Sequence, residues 1–191
     1  LQRAVALGAD RSGPLSGDAL VGSDVCATGL ALAKVLESEN PDVVLLGQQS
    51  DDGECYTIGA VVADHLKMPS LTQVVKMDVE DGKLRCERQA EYGYDTVSLS
   101  LPAVIAVGDA INEPRYPSLK AIMGAKKKPL DTKSAGDVGI DAGQVGEAGS
   151  QTTVVALNPP PAKEAGEIIE DEDTNETVEK IVAWLDERKL I

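Results

Sequence analysis

Phenylalanine is absent from the 191 residues, aromatics make up only 3%, and His65 is the single histidine. A core without large rings must be built from small aliphatic side chains, and the 42% hydrophobic content is enough for one such core. The three cysteines, Cys26, Cys55 and Cys86, form no Cys-x-x-Cys pair. A structural zinc site needs about four N, S or O ligands in tight spacing, and none is visible around them or the one histidine. No disulfide framework is visible, which suits a reducing cytoplasm. No apolar run approaches the roughly 18 residues of a membrane span, and no charged-then-apolar leader opens the chain. Basic charge is also scarce: 18 Lys and Arg stand against 32 Asp and Glu, a net charge of −14. Such a chain repels phosphate backbones, so general nucleic-acid binding is not expected. A mononucleotide held in a local pocket remains compatible. The acidic surface and small hydrophobes would also suit a prokaryotic, salt-rich (halophilic) cytoplasm, a reading that full stability at low KCl would remove.

What is present reads as an α/β chain. Leu1 to Gly8 resembles the end of a helix closed by glycine, as if more chain preceded it. Ser23 to Glu39 has apolar residues at helical spacing, Ser23 is the expected N-cap, and Gly29 on the apolar stripe permits close packing. Val43 to Leu46 is an unbroken apolar run, expected as a parallel strand buried on both faces and closed by Gly47. A polar loop follows, then a second helix from Ile58 that Pro69 stops. Helix, strand, loop and helix form the repeating unit of an α/β fold, in which ligands sit beyond the carboxyl ends of strands.

After Pro69 the pattern turns antiparallel. Leu71 to Val79 is β-rich, Asp81-Gly82 is a hairpin turn, and Lys83 to Gln89 and Val97 to Leu101 alternate. Ala103 to Val107 is a further buried strand. Pro117 is expected in the first turn of a short helix that ends at Lys126-Lys127-Lys128. From Thr132 to Ala162 small residues and proline predict an extended arm. An acidic run from Glu164 to Glu176 predicts a solvated linker, with Asp173 and Glu176 at capping-box spacing. A last helix carries the stripe Val178, Ile181, Val182 and Leu185, with two destinations open: its own domain or a partner subunit.

The loop Gly47-Gln48-Gln49-Ser50-Asp51-Asp52-Gly53-Glu54-Cys55-Tyr56-Thr57-Ile58 is the main candidate site. Amides at the helix start can receive an anion, and Gly47 and Gly53 allow close approach. The Gly-Lys-Ser/Thr ending of a P-loop and the Gly-x-Gly-x-x-Gly fingerprint are both missing. Asp51, Asp52 and Glu54 sit awkwardly beside phosphate, so from these residues alone an acidic cap on an ordinary loop is the favoured reading over a nucleotide site. Cys55 lies near the helix start, but no base for it is identifiable. His65, Tyr92, Tyr94 and Trp184 are read as structural, and no nucleophile elbow occurs.

The stretch Ile111-Asn112-Glu113-Pro114-Arg115-Tyr116-Pro117-Ser118-Leu119-Lys120-Ala121-Ile122-Met123-Gly124-Ala125 with its lysine run resembles the hallmark of electron-transfer flavoprotein β (small) subunits. Ala6 to Arg11, Asp42 to Gln49 and Leu101 to Val104 support the resemblance. By family length, roughly a quarter to a third of a member is missing at the N terminus.

The resemblance implies a three-layer Rossmann-like adenine-nucleotide-binding fold: a mostly parallel sheet with an antiparallel extension over residues 1–130, then an arm and helix over 131–191 that pack on the α subunit. It implies an electron carrier, not an enzyme: a heterodimer in which the α subunit holds most of an FAD. This chain would bind AMP or a second FAD through Val43 and Gly47 to Ile58. Asp52-Gly53-Glu54 with Ile58-Gly59 is similar to members with a second FAD, and Gln48 and Gln89 stand where members often have a cation and an acid. Arg115, Tyr116, Pro117, Ser118, Leu119, Ile122 and Met123 would dock acyl-CoA or other dehydrogenases, with Leu119 as anchor unless it is core. Electrons would leave toward a quinone reductase or another acceptor. The rivals are an adenine-nucleotide hydrolase, whose Ser-Gly-Gly-x-Asp-Ser-like loop is missing, and a non-catalytic nucleotide-binding regulatory module. ATP turnover would favour the first, and colourless nucleotide binding the second.

Overall fold

The computed structural model describes residues 1–163, 166, 168 and 173–191. They form two compact units, 1–153 and 154–191. The first is a Rossmann-like α/β unit. Its order is α1 (Gln2–Ala6), α2 (Val25–Glu39), β1 (Val43–Gly47), α3 (Ile58–Leu66), β2 (Ser70–Glu80), β3 (Lys83–Ala90), β4 (Gly93–Ser100), β5 (Ala103–Val107), α4 (Leu119–Ala125) and α5 (Gly146–Gly149), with short 3-10 turns between. The sheet order is β1-β5-β2-β3-β4. β5 runs parallel to both β1 and β2, while β2–β3 and β3–β4 are antiparallel. Asp81 and Gly82 both have positive φ, the left-handed pair that a tight hairpin turn demands.

Two apolar layers flank the sheet. Val44 and Val104 pack with Ala63 of α3 on one face, supported by Leu36, Leu46 and Leu66. Leu84, Cys86, Leu99, Ala103 and Ile105 form the other cluster with Val74. Burial pushes the Cys86 thiol pKa up, with the Asp78 charge a second cause. Gly29 lets α2 and α3 approach, since a Cβ there would collide with Val61.

Several expectations require correction. β1 is an edge strand among the described residues, and it is not buried on both faces: Val44 is buried, but Leu45 on the opposite face is 56% exposed. The cap of α2 is Asp24, one residue past Ser23. The Ser23 hydroxyl instead accepts the Gly146 N–H at 2.7 Å. Pro117 precedes the cap of α4 and does not enter its first turn, because Ser118 accepts the Ala121 N–H at 3.2 Å. Residues 131–153 are not an extended arm. Ala135, Ile140 and Val145 are buried with Ala31 of α2, which places the division after Thr153, beyond 130. In the second unit, Asp173 caps α6 (Thr174–Glu187) by accepting the Asn175 N–H at 2.8 Å. Most of the acidic run before it lies outside the described residues. Arg188 stacks over the Trp184 ring at 4.0 Å.

Asp24 ties the small-residue segment to α2. It accepts the N–H groups of Ala27, Gln151 and Thr152, which hold its carboxyl below the usual carboxylate range. A carboxyl with a lowered folded pKa contributes stability above its unfolded value, near 3.9, and loses it as pH falls through the folded value. Asp24→Asn is therefore expected to flatten the acid limb of stability below pH 4, read as urea midpoints from pH 5 to 2.5. Gly29→Ala is expected to cost about 1–3 kcal/mol by overpacking despite the better helix propensity of alanine. Adding Val61→Ala should recover part of that loss, as measured by urea unfolding.

Candidate functional site

The candidate site is built on the carboxyl ends of the parallel strands. Gly47 is in register with Val107, and Val107 with Val74. The loop after Gly47 and the segment after Val107 thus leave from neighbouring strand ends. Gly108 donates its N–H to the Val74 carbonyl at 2.9 Å. Gly108 also lies beside Gln48: a Cβ placed on it would stand 3.5 Å from Gln48 Oε1, an ordinary contact. The Val-Gly step ending β5 repeats the strand–glycine pattern of β1 and was the signal for it.

The loop from Gln49 to Thr57 is exposed. Its first half is internally bonded. Glu54 donates its N–H to the Ser50 carbonyl at 3.0 Å, and Gly53 donates to Ser50 Oγ at 3.4 Å. The Ser50 hydroxyl and the Asp52 and Gly53 amides hold the Asp52 carboxyl below its usual range, so that acid folds back onto the loop. The Cys55 thiol likewise donates to the Gly53 carbonyl at 3.0 Å. Glu54 and Tyr56 have φ of 43° and 56°, the left-handed region that side chains enter at a cost. Nothing in the residue types at 54 and 56 signals this. Thr57 makes no side-chain cap bond, so the first N–H groups of α3 have no local side-chain acceptor. Gly59 packs flush on the sheet, where a Cβ would sit 3.4 Å from Ala106. Val43 is not brought to this loop. It begins β1, about 13 Å of strand from Gly47.

The segment after β5 is tied to α1. Arg115 Nη2 donates to the Leu7 carbonyl at 3.0 Å, and Lys128 Nζ to that of Ala9 at 3.4 Å. Arg115 is thereby a structural strut as well as a surface cation. Pro117 is half-buried and Ser118 caps α4, whereas Tyr116 is 90% and Leu119 77% exposed. Leu119 is therefore not core. Ile122 and Met123 are also exposed, and Tyr116, Pro117 and Ile122 border a groove of about 390 Å³ against Gln2, Arg3 and Ala6.

The family model for the electron transfer flavoprotein domain matches residues 1–138. Over 192 residues the chain is 41% identical to the electron transfer flavoprotein subunit beta of Mycobacterium bovis, covering 100% of this chain and 71% of that protein. The chain belongs to the electron transfer flavoprotein β-subunit family. It is 36% identical to the subunit beta of Thermoanaerobacterium thermosaccharolyticum, with 100% and 74% covered. It is 35% identical to a subunit of the caffeyl-CoA reductase-Etf complex of Acetobacterium woodii, with 100% and 73% covered. As a member of an electron transfer flavoprotein family, the chain is an electron-transfer subunit.

Among the described residues no group of His, Cys, Asp and Glu is placed to hold a metal ion, and no helix is long and apolar enough to cross a membrane. His65 is exposed on α3. The left-handed loop residues allow a direct check. Glu54→Gly removes the backbone penalty while Gly adds unfolded-state entropy, so a net gain of roughly 0.5 kcal/mol is expected in urea unfolding. A loss would mean that the Glu54 side chain holds the loop.

Proposed function

We propose that the chain pairs with an α subunit that holds FAD, and that its loop Gly47 to Ile58 takes an adenine nucleotide, AMP or a second FAD. The carrying observation is the uncapped start of α3 beyond a loop with two left-handed residues. Ser50 and Asp52 use the donors of the first half, so phosphate oxygens are assigned to the amides at Ile58 and Gly59. Gln48 adds a neutral donor beside them. The pattern Asp52-Gly53-Glu54 with Ile58-Gly59 favours the second-FAD version. The FAD supplies the one- and two-electron chemistry when bound. This chain's residues bind, orient and dock.

Docking is assigned to the exposed face of Tyr116, Leu119, Ile122 and Met123. A small apolar anchor in a partner pocket fixes a contact over little area. Acyl-CoA or other dehydrogenases deliver the electrons there, and a quinone reductase or another acceptor receives them. The Acetobacterium relative, named as part of a CoA-ester reductase complex, supports that class of partner. Val178, Ile181 and Val182 of α6 are 44–52% exposed, and this stripe is assigned to the α subunit.

Leu119→Ala in the full heterodimer is expected to weaken dehydrogenase-dependent flavin reduction at least tenfold, with the melting temperature unchanged because the side chain supports no core. Unchanged coupling would remove the anchor role.

A further inference from the structure

Residues 1–9 and 114–130 hold six of the 18 cations, Arg3, Arg115, Lys120, Lys126, Lys127 and Lys128, and none of the 32 acids. The fold brings these two distant stretches together, with the Arg115 guanidinium on the Leu7 carbonyl and the Lys128 ammonium on that of Ala9. Both acceptors are neutral, so neither charge is offset. All six residues are exposed, and none forms an ion pair among the described residues. The cations that do pair, such as Arg11, Lys34 and Lys76, lie outside these stretches. In a chain of net charge −14, the α1–α4 face is therefore a local positive field.

The same face carries the exposed apolar side chains Tyr116, Leu119, Ile122 and Met123. Beside them runs the groove of about 390 Å³ between α1 and α4. Arg3 lines it from α1 and Lys126 from the end of α4, Ala6 and Ile122 supply apolar wall, and no carboxylate of the described residues borders it. An apolar centre with a charged rim is the anatomy of a protein interface. The volume lies at the small end of binding pockets, suited to one large side chain. Charge selects the occupant. A two-fold contact with a second copy of this chain would set two positive faces together. An anionic membrane or a nucleic acid is a broad surface, and it would meet the acidic remainder of the chain. A protein that brings carboxylates only at the contact is drawn to the patch and, beyond a screening length of about 8 Å, is little affected by the rest.

We propose that this groove receives an apolar side chain of the electron-donating dehydrogenase, flanked by carboxylates that Arg3 and Lys126 contact. This rests on the docking reading above and deepens it. Docking is reciprocal: Leu119 enters the partner, and a partner side chain enters between α1 and α4. Arg3 and Ala6 of α1 thereby belong to the interface. The rim charges act on encounter and partner choice, and the filled groove acts on the lifetime of the complex.

The test follows reduction of the full heterodimer by an acyl-CoA dehydrogenase at low and high KCl. For wild type, the KM for the heterodimer is expected to rise with KCl. Arg3→Glu combined with Lys126→Glu is expected to raise KM at least tenfold at low salt, with the effect on KM and not kcat, and to remove most of the salt dependence. Arg3→Gln combined with Lys126→Gln should fall between. Ala6→Leu fills the groove without a charge change and should raise KM about threefold or more at both salt concentrations. Lys83→Glu on β3 is the charge control, with KM expected to stay near wild type. KM values near wild type for the reversed pair and for Ala6→Leu, while Leu119→Ala still weakens coupling, would overturn the reciprocal groove and leave the docking reading standing. Unchanged coupling in Leu119→Ala would remove the docking reading itself. An equal rise in KM for Lys83→Glu would reduce the effect to net charge and overturn the proposal. So would loss of binding to phosphatidylserine vesicles in the reversed pair with KM unchanged, which would assign the face to a lipid surface.

Discussion

The parallel ladder of β5 is the interaction on which the rest depends. Ala103 to Ala106 are buried almost completely, and the strand bonds to β1 on one side and β2 on the other. Its register with β1 aligns Gly47 with Val107, and its register with β2 carries the same level on to Val74 and Arg88. The loop proposed to take the nucleotide and the start of the segment proposed for docking therefore leave from strand ends aligned by one set of backbone hydrogen bonds. A slip of one residue would reverse every side chain of the ladder and dissolve the common level.

That arrangement keeps the two proposed tasks apart while joining them mechanically. The loop leaves the edge strand and stays exposed, and the segment leaves the neighbouring interior strand, β5, and is tied back to the α1 end by Arg115 and Lys128. The exposed face of α4 is thus held by the fold even though Leu119, Ile122 and Met123 contribute little to the core. A small residue makes the closest helix approach possible: Gly29, where a Cβ would collide with Val61. A chain without phenylalanine gains its density from such contacts and from aliphatic layers.

Much of this was legible from residue order. The strand Ala103 to Val107, the hairpin at Asp81-Gly82 and the helix from Ile58 follow from apolar runs, turn chemistry and spacing, which are local. Leu45 was not, because burial of an apolar strand depends on what covers it, and here one face of β1 is open. Residues 131–153 misled for the same reason. Gly, Ala and Ser have weak local preferences, so only the distant Asp24 and α2 could order them. Within the loop, its position was readable from the strand that feeds it. The left-handed turns at Glu54 and Tyr56, the inward fold of Asp52 and the separation of Val43 depend on tertiary geometry.

The most direct test is to purify the full heterodimer and identify its released nucleotides by mass, with wild type and with Gly59 replaced by valine to displace the start of α3 from Ala106. The account predicts an adenine nucleotide, AMP or FAD, in addition to the FAD of the α subunit, and its loss in the variant while one FAD per heterodimer remains. A single FAD and no second nucleotide from the wild type would contradict it.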